Sequence, residues 1–310
     1  ITGSLGVTGS VSFSTEITSP GPGAWSTGGA MTSGRCQLGG AGTQTSALAF
    51  GGGSYSTNGT CTEEYNGASW SSQNPLATAR SYIAGAGTQT AALAFGGYTG
   101  SPNFFNTVAT EEYNGASWSG GGNLINARGT AAGTGIQNAA LAFGGIPSTG
   151  TAAFNECTEE YNGSSWSAGG ALPSSPNKVA IAAAGTTTAA LAFGDYAGST
   201  SEYNGTSWSG GGTMTTGRRA LAGAGTQNAA LAFGGYSGYA CTEEYNGSSW
   251  SAASSLLAGR YTLAGAGTQA NALAFGGYGS NVACTEEYNP TSTLALTKTF
   301  DYSESTGDTT

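Results

Sequence analysis

The chain has 310 residues, of which 55 are glycine and 8% are charged, with a formal net charge of −9 and no histidine. The acidic balance argues against a phosphate-backbone partner, so we expect no nucleic-acid binding. The lack of histidine removes the commonest general base and the commonest metal ligand. No apolar run approaches the roughly 20 residues that span a bilayer, so we expect no membrane insertion. The sequence begins at Ile1 rather than Met, which suggests a fragment or a processed product.

The first residues of the chain alternate between apolar and polar side chains. The apolar positions of one parity are Ile1, Leu5, Val7, Val11, Phe13 and Ile17. This period of two is typical of a half-buried strand and has no helical component. We therefore assign residues 1–20 to an N-terminal β-segment.

A unit of roughly 40 to 50 residues then recurs six times. Its first marker is a basic residue, at Arg35, Arg80, Arg128, Lys178, Arg218 and Arg260. Its second is a glycine pair, at residues 51–52, 96–97, 144–145, 234–235 and 276–277, with Gly194 and Asp195 as the variant copy. Its third is a tyrosine, at Tyr65, Tyr113, Tyr161, Tyr203, Tyr245 and Tyr288. Its last is a tryptophan, at Trp25, Trp70, Trp118, Trp166, Trp208 and Trp250.

Each unit divides into four short strands, for which SYIAGAGT, AALAFGG, CTEEYN and SWSS are examples. Asn-Gly joins the last two strands, and this dipeptide is the strongest short hairpin signal. Small residues fill the first two strands while Tyr and Trp come later, as expected when strands run from a crowded axis to a wide rim. The pattern predicts an all-β, six-bladed propeller, with a solenoid as the alternative.

The two ends of the repeat region are incomplete in complementary ways. The last unit stops after Tyr288 without a tryptophan, whereas Trp25 has no preceding tyrosine motif. We therefore predict that the N-terminal segment supplies the fourth strand of the last blade, which closes a propeller over 21–290 and leaves few open strand edges.

A C-terminal β-segment over 291–310 alternates through Leu294, Leu296, Phe300 and Tyr302. The two terminal segments either pack on the ring or on each other, or they form an intersubunit or stalk contact that would make a homo-oligomer.

The repeated pattern RxxxxGAGTQxAALAFGGY…TEEYNGxSW resembles the Kelch repeat, from which Asp195 and the short, Gly-rich connections depart. The resemblance implies four-stranded blades and a ring closed by a strand from the opposite end. The sequence AGTQTAALAFGG…TEEYNGASW also resembles Kelch-like proteins of bacteriophages and marine bacteria. The N-terminal GSLxVTGSVS resembles segments of phage tail-fibre and other virion proteins, which implies that residues 1–20 form a stalk or connector.

These resemblances imply a non-enzymatic structural or receptor-binding module of a bacteriophage virion appendage. Its partners would be a host-surface glycan or protein, or other virion subunits. The alternative is a bacterial extracellular adhesin or lectin propeller, and a glycan-active enzyme ranks below both. We expect no catalytic residues, cofactor or metal.

Most acidic residues occupy the third strand of each unit, and this repetition argues against a single catalytic pair. We expect each repeat Arg to pair with the first glutamate, such as Glu63, because Lys178 and Ser201 replace both partners in the same unit. The cysteines at 61, 157, 241 and 284 share one slot in separate blades, too far apart for disulfides, and are expected to be buried thiols. The pairing of Cys36 stays open, and no CxxC spacing suggests zinc.

The connections that vary between units are the candidate binding surface, because loops on a rigid scaffold usually carry recognition. Their aromatic and polar residues suit a sugar or a protein surface. The candidate residues are Tyr98, Asn103, Phe104, Phe105, Ile146, Phe154, Asn155, Tyr196, Tyr236 and Tyr278. The alternatives are that Phe104 and Phe105 cover their own blade or are buried against a second subunit.

Overall fold

A computed structural model provides the structure of the chain. It describes residues 11–15, 21–54, 57–100, 103, 105–147, 156–173, 180–236, 239–279, 283–291 and 296–300. Within these ranges the regular structure is entirely β, and no helix is long and apolar enough to cross a membrane. The chain separates into two compact units, one of residues 23–289 and one of residues 1–22 with 290–310.

Residues 23–289 carry the six four-stranded sheets of a β-propeller, with the strands of each sheet in chain order in five of the six blades. Blade 1 contains Gly39–Gly42, Ala47–Phe50, Thr62–Tyr65 and Trp70–Gln73. Blade 2 contains Ala84–Gly87, Ala92–Phe95, Thr110–Tyr113 and Trp118–Gly120. Blade 3 contains Ala132–Ile136, Ala139–Phe143, Thr158–Tyr161 and Trp166–Ala168.

The second half of the ring repeats this arrangement and closes on the N-terminal strand. Blade 4 contains Ala182–Gly185, Ala190–Phe193, Thr200–Tyr203 and Trp208–Gly210. Blade 5 contains Ala222–Thr226, Ala229–Phe233, Thr242–Tyr245 and Trp250–Ala253. Blade 6 contains Ala264–Gly267, Ala272–Phe275 and Thr285–Thr291, and its fourth strand is Gly21–Thr27. The predicted closure by the segment around Trp25 is confirmed.

The inner strands need small residues because the preceding blade packs an aromatic ring against them. A Cβ added to Gly85 would lie 2.5 Å from the ring of Phe50 and 2.8 Å from the carbonyl oxygen of Gly40. Gly133 is in the same position relative to Phe95, where the closest approach would be 2.4 Å. The predicted taper from small inner residues to aromatic outer ones therefore follows from packing between adjacent blades.

The hydrophobic core consists of six clusters, each between two adjacent blades. At the closing junction the indole of Trp25 lies 5.0 Å from the ring of Phe233 and 5.1 Å from that of Tyr288. Its Nε1–H donates a hydrogen bond of 2.9 Å to Thr242 Oγ1 in blade 5. The other five tryptophans make the same bond to the preceding blade, so the closing junction resembles the continuous ones.

A second set of contacts joins the same blades through tyrosine. The hydroxyl of Tyr203 in blade 4 donates to Glu160 of blade 3 at 2.5 Å. Equivalent bonds from a tyrosine to the second glutamate of the preceding blade occur at all six junctions. Burial, and then the hydrogen bond to Glu160, raise the pKa of Tyr203 to about 12, so the hydroxyl remains a donor at neutral pH. We call the Trp–Thr and Tyr–Glu contacts together the inter-blade belt.

The predicted Arg–Glu pairs lie inside the blades. Five are buried and join the repeat Arg to the first glutamate of its own blade, as in Arg80–Glu111 at 2.8 Å. The other oxygen of Glu111 accepts from the backbone of Ala77 at 2.7 Å. The pairing of Arg with the first glutamate is confirmed, and Lys178 of blade 4 lies outside the described residues.

The expectation of four buried thiols is wrong. Cys61 and Cys157 are exposed, and Cys241 and Cys284 are half-buried. The next residue in each case, such as Thr62, faces inward to accept the tryptophan bond, so the cysteine before it faces out. Cys36 is buried, and none of the five forms a disulfide.

The second unit of the chain is described only in part. Val11–Thr15 pairs antiparallel with Leu296–Phe300, with Phe13 opposite Lys298. The terminal segments therefore pair with each other, which was one of the alternatives from the sequence.

Candidate functional site

The two faces of the propeller carry different connections. One face carries the turns between the first and second strands and between the third and fourth strands. The two turns of a blade are neighbours, since a Cβ on Gly67 would be 3.5 Å from the side chain of Thr45. On the other face the connections before the first strand pair with those after the second, as in the bridges Ser81–Tyr98 and Tyr261–Tyr278. The connections that stay constant between units therefore share one face, and those that vary share the other.

Six residues surround the axis on the variable face and form a closed cycle of backbone hydrogen bonds. In each, the N–H donates to the carbonyl oxygen of its equivalent in the preceding blade, over distances of 2.8 to 3.3 Å. The six residues are Gln37, Tyr82, Thr130, Ala180, Ala220 and Thr262. All have positive φ, between 50° and 61°, although none is glycine. Such backbone costs roughly 1–3 kcal/mol per residue and persists only where its surroundings enforce it.

An apolar collar lies directly below this cycle. Each of its members follows one residue of the cycle in sequence, and together they are Leu38, Ile83, Ala131, Ile181, Leu221 and Leu263. The collar narrows the axis to a small space of about 120 Å³. The backbone cycle and the collar form a rigid floor for any molecule that enters from the variable face.

A wider cavity of about 410 Å³ opens above this floor. Its volume falls in the range of roughly 300–1,000 Å³ that is usual for small-molecule sites. We call it the axial mouth, and its principal lining residues are Tyr82, Tyr98, Thr130, Arg219, Tyr236 and Tyr261. They come from six regions of chain that precede or follow inner strands, so the ring places residues together that are up to 179 positions apart (261 − 82).

Aromatic pairs form the wall of the mouth. The rings of Tyr82 and Tyr98 meet edge to face at 5.6 Å. Across the mouth, Tyr261 lies between Tyr236 at 5.4 Å and Tyr278 at 5.1 Å. Offset and edge-to-face pairs of this kind hold the rings in fixed orientations. The mouth therefore presents ring surfaces and hydroxyl groups to its interior.

Tyr98 lies directly across Gly129, where an added Cβ would be 2.5 Å from its ring. Burial raises the pKa of Tyr98 to about 12, with a smaller contribution from the charge of a deprotonated Tyr82. Its hydroxyl consequently stays protonated throughout the physiological range and can donate a hydrogen bond.

Arg219 is held between two tyrosines. Its guanidinium carbon lies 4.9 Å from the ring centre of Tyr196 and 5.0 Å from that of Tyr236. The side chain is half-buried, and the backbone N–H of Tyr236 donates to the Arg219 carbonyl at 2.7 Å. Cation–π contacts with two rings restrict the side chain of Arg219, and none of the described acidic side chains forms an ion pair with it.

Thr130 supplies a polar group in the floor. It is 8% exposed, and its Oγ1 has no hydrogen-bond partner among the described residues. A buried hydroxyl without a hydrogen-bond partner is costly in free energy, and less than 1 Å² of this oxygen is accessible.

The structure brings five of the predicted binding residues to this region. Tyr98, Ile146 and Tyr236 line the mouth directly. Tyr196 and Tyr278 border it through their contacts with Arg219 and Tyr261.

Two further predicted residues lie in the hairpin that follows Tyr98. Asn103 is exposed, and Phe105 is 64% exposed, which argues against the alternative that Phe105 is buried under its own blade. The neighbouring Asn106 donates its Nδ2–H to the carbonyl oxygen of Ile146 at 2.8 Å, so this hairpin stands beside the mouth. Phe104, Phe154 and Asn155 lie outside the described residues.

Sequence analysis missed Tyr82, Arg219 and Tyr261. They follow the repeat basic residue by one or two positions, where the units differ from one another. One signal was available, since Arg219 is a basic residue that does not fall in the repeat frame of Arg35 and its equivalents. Positions that vary between units beside a constant residue therefore line the mouth together with the variable loops.

No protein-family model matches the chain, and no curated protein matches its sequence. Among solved structures, the chain is similar to the propeller in "Structure of YjhT", with a TM-score of 0.70 and 12% sequence identity. The similarity covers 88% of this chain and 100% of the other. At this identity the likeness establishes the fold: the chain is a six-bladed β-propeller.

Proposed function

We propose that the chain is a non-enzymatic recognition module of a bacteriophage virion appendage, and that it binds a host-surface glycan at the axial mouth. The observation that carries this proposal is the mouth itself, a cavity of about 410 Å³ walled by tyrosine rings on a rigid floor. A pyranose ring has an apolar face of C–H bonds and a rim of hydroxyl groups. Tyrosine suits such a molecule because its ring is apolar and its hydroxyl forms hydrogen bonds.

The residues of the mouth favour binding over chemistry. None of the described residues that line the mouth or its floor is acidic, whereas glycoside hydrolysis ordinarily needs a pair of carboxyl groups. The glutamates of the repeat are instead engaged in the Arg–Glu pairs and the inter-blade belt.

A glycan array probed with the full 310-residue chain tests the binding proposal. We expect the glycans retained by the wild type to be lost by Tyr236→Ala, which removes one wall of the mouth. Tyr239→Ala is the matched control, because Tyr239 belongs to the same connection and is equally exposed at 42% but does not line the mouth. The proposal is contradicted if the chain binds no glycan, or if both variants bind the glycans equally. If the chain instead binds host proteins or virion subunits in a separate pull-down, those partners are favoured.

The biological setting needs a separate test. The virion assignment rests on the resemblance of the repeats and of the N-terminal segment to phage proteins. Sequencing the DNA around the gene should reveal tail, baseplate or capsid genes if the assignment is correct. A secretion signal together with a cell-wall anchor would support the bacterial adhesin instead.

A further inference from the structure

We propose that the glycan bound at the axial mouth is acidic, and that Arg219 binds a carboxylate of one of its sugars. This inference rests on the proposed function and adds the chemical class of the ligand.

Arg219 stands apart from the other arginines. Arg35, Arg80, Arg128, Arg218 and Arg260 each pair with a glutamate inside a blade. Arg219 forms no ion pair among the described residues, and its guanidinium lies against the rings of Tyr196 and Tyr236. In a chain of net charge −9, an arginine held without an acidic partner is a feature that packing alone does not require.

The ring contacts prepare Arg219 to bind a planar anion. The guanidinium carbon lies 4.9 Å from the ring centre of Tyr196 and 5.0 Å from that of Tyr236, so two aromatic rings pack against this side chain. The edge of a guanidinium carries the fork of N–H groups that matches the two oxygens of a carboxylate. Because the side chain is already held in place, less rotamer entropy is lost on binding than for a free surface arginine.

The carboxylate must come from outside the described part of the chain. No acidic side chain lines the mouth or its floor in that part. The rest of the mouth suits the body of a sugar, with ring surfaces at Tyr98 and Tyr261. Arginine at the rim and aromatic walls together fit a uronic-acid unit better than a neutral sugar or an extended peptide.

The test uses the full chain and a panel of oligosaccharides that contain uronic acids. Each is paired with its carboxyl-reduced derivative, in which the carboxylate has become a primary alcohol, and affinities are measured by titration calorimetry. We expect at least one acidic oligosaccharide to bind, and reduction to weaken it by about 10- to 100-fold, as loss of a charge-assisted bidentate contact implies.

Arg219 variants assign the effect to this side chain. We expect Arg219→Met to lose about the same 10- to 100-fold for the acidic ligand, with no change for the reduced one. Arg219→Lys, which keeps the charge but not the fork, should fall between the wild type and Arg219→Met. An unchanged thermal midpoint for both variants would show that the fold is intact.

The remaining outcomes separate the two proposals. Binding confined to neutral glycans, or an acidic ligand that Arg219→Met binds as well as the wild type, would overturn the inference and leave the glycan-binding proposal standing. Equal competition by a poly-glutamate peptide would overturn the assignment to a sugar. If no glycan binds at all, both proposals fail.

Discussion

Blade 4 and the other five blades show which contacts a regular repeat needs and which it can omit. In blades 1, 2, 3, 5 and 6 a buried Arg–Glu pair joins the connection to the third strand. Blade 4 has Ser201 in place of that glutamate, and Ser201 is buried at 2% exposure. It also has Thr187 where the other blades have a glutamine.

That glutamine forms a clamp between blades. Gln137, for example, donates to the carbonyl oxygens of Ala92 and Tyr113 in the preceding blade at 3.0 and 2.6 Å. Equivalent clamps hold four further junctions, through Gln44, Gln89, Gln227 and Gln269. Thr187 is too short to make both bonds.

The glycine pair differs too. The second glycine has positive φ in the five regular blades, whereas Asp195 in blade 4 does not. Its carboxylate accepts a hydrogen bond from the backbone of Ser199 at 2.8 Å, which closes the short connection there. A different backbone path, rather than a strained residue, explains why aspartate is tolerated.

What blade 4 retains is the inter-blade belt. Trp208 donates to Thr158 at 2.9 Å and Tyr203 donates to Glu160 at 2.5 Å, as at the other junctions. The belt occurs at all six junctions. Among the described residues, the ion pair occurs within five blades and the clamp at five junctions. Ring closure therefore depends first on the belt.

The largest effect should come from removing a tryptophan of the belt. We expect Trp25→Ala and Trp208→Ala each to reduce the free energy of unfolding by roughly 3–5 kcal/mol, since each deletes a large buried ring. Urea unfolding of both variants measures this. A closed ring predicts similar losses at the two positions, and a loss below about 1 kcal/mol for Trp25→Ala would mean that the closing junction contributes little in solution.

A smaller effect should follow from breaking the ion pair of a regular blade. Arg80→Met leaves Glu111 buried without its cation, and we expect a loss of about 3 kcal/mol. The double variant Arg80→Lys with Glu111→Ser copies the residues of blade 4 and should be the more stable of the two. Denaturation midpoints that rank the double variant below the single one would show that blade 4 depends on something other than this paired exchange.

The smallest effect should come from giving blade 4 the missing clamp. Thr187→Gln places an amide where the other blades use theirs to bind two carbonyl oxygens, and we expect a gain of about 0.5–1.5 kcal/mol. Thr188→Gln is the control, because Thr188 is the exposed neighbour in the same turn. Equal shifts in thermal midpoint for the two variants would argue against a specific clamp.

The ring could be predicted from the sequence because the markers of the repeat recur at regular spacing. Six copies of each marker defined the strands, and the mismatch between Trp25 and Tyr288 defined the closure. The change of Lys178 together with Ser201 identified which glutamate meets the arginine, since paired partners tend to vary together.

The axial mouth could be predicted only in part, because its geometry depends on backbone conformations that the residue types do not indicate. Positive φ is usually signalled by glycine or asparagine, yet the cycle uses residues such as Tyr82 and Thr130. The bridge between Ser81 and Tyr98, which joins two variable positions, is a tertiary contact without a sequence motif. The outward direction of Cys61 likewise depends on which neighbour accepts the tryptophan bond.

The bridges between the two variable positions of a blade have an evolutionary consequence. Blades 2 and 6 each carry one such pair beside the mouth, Ser81 with Tyr98 and Tyr261 with Tyr278, while the belt and the inner strands stay constant. Exchange of a single blade by recombination would thus replace a discrete share of the residues beside the mouth without disturbing the assembly of the ring. The lining of the mouth would then change one sector at a time.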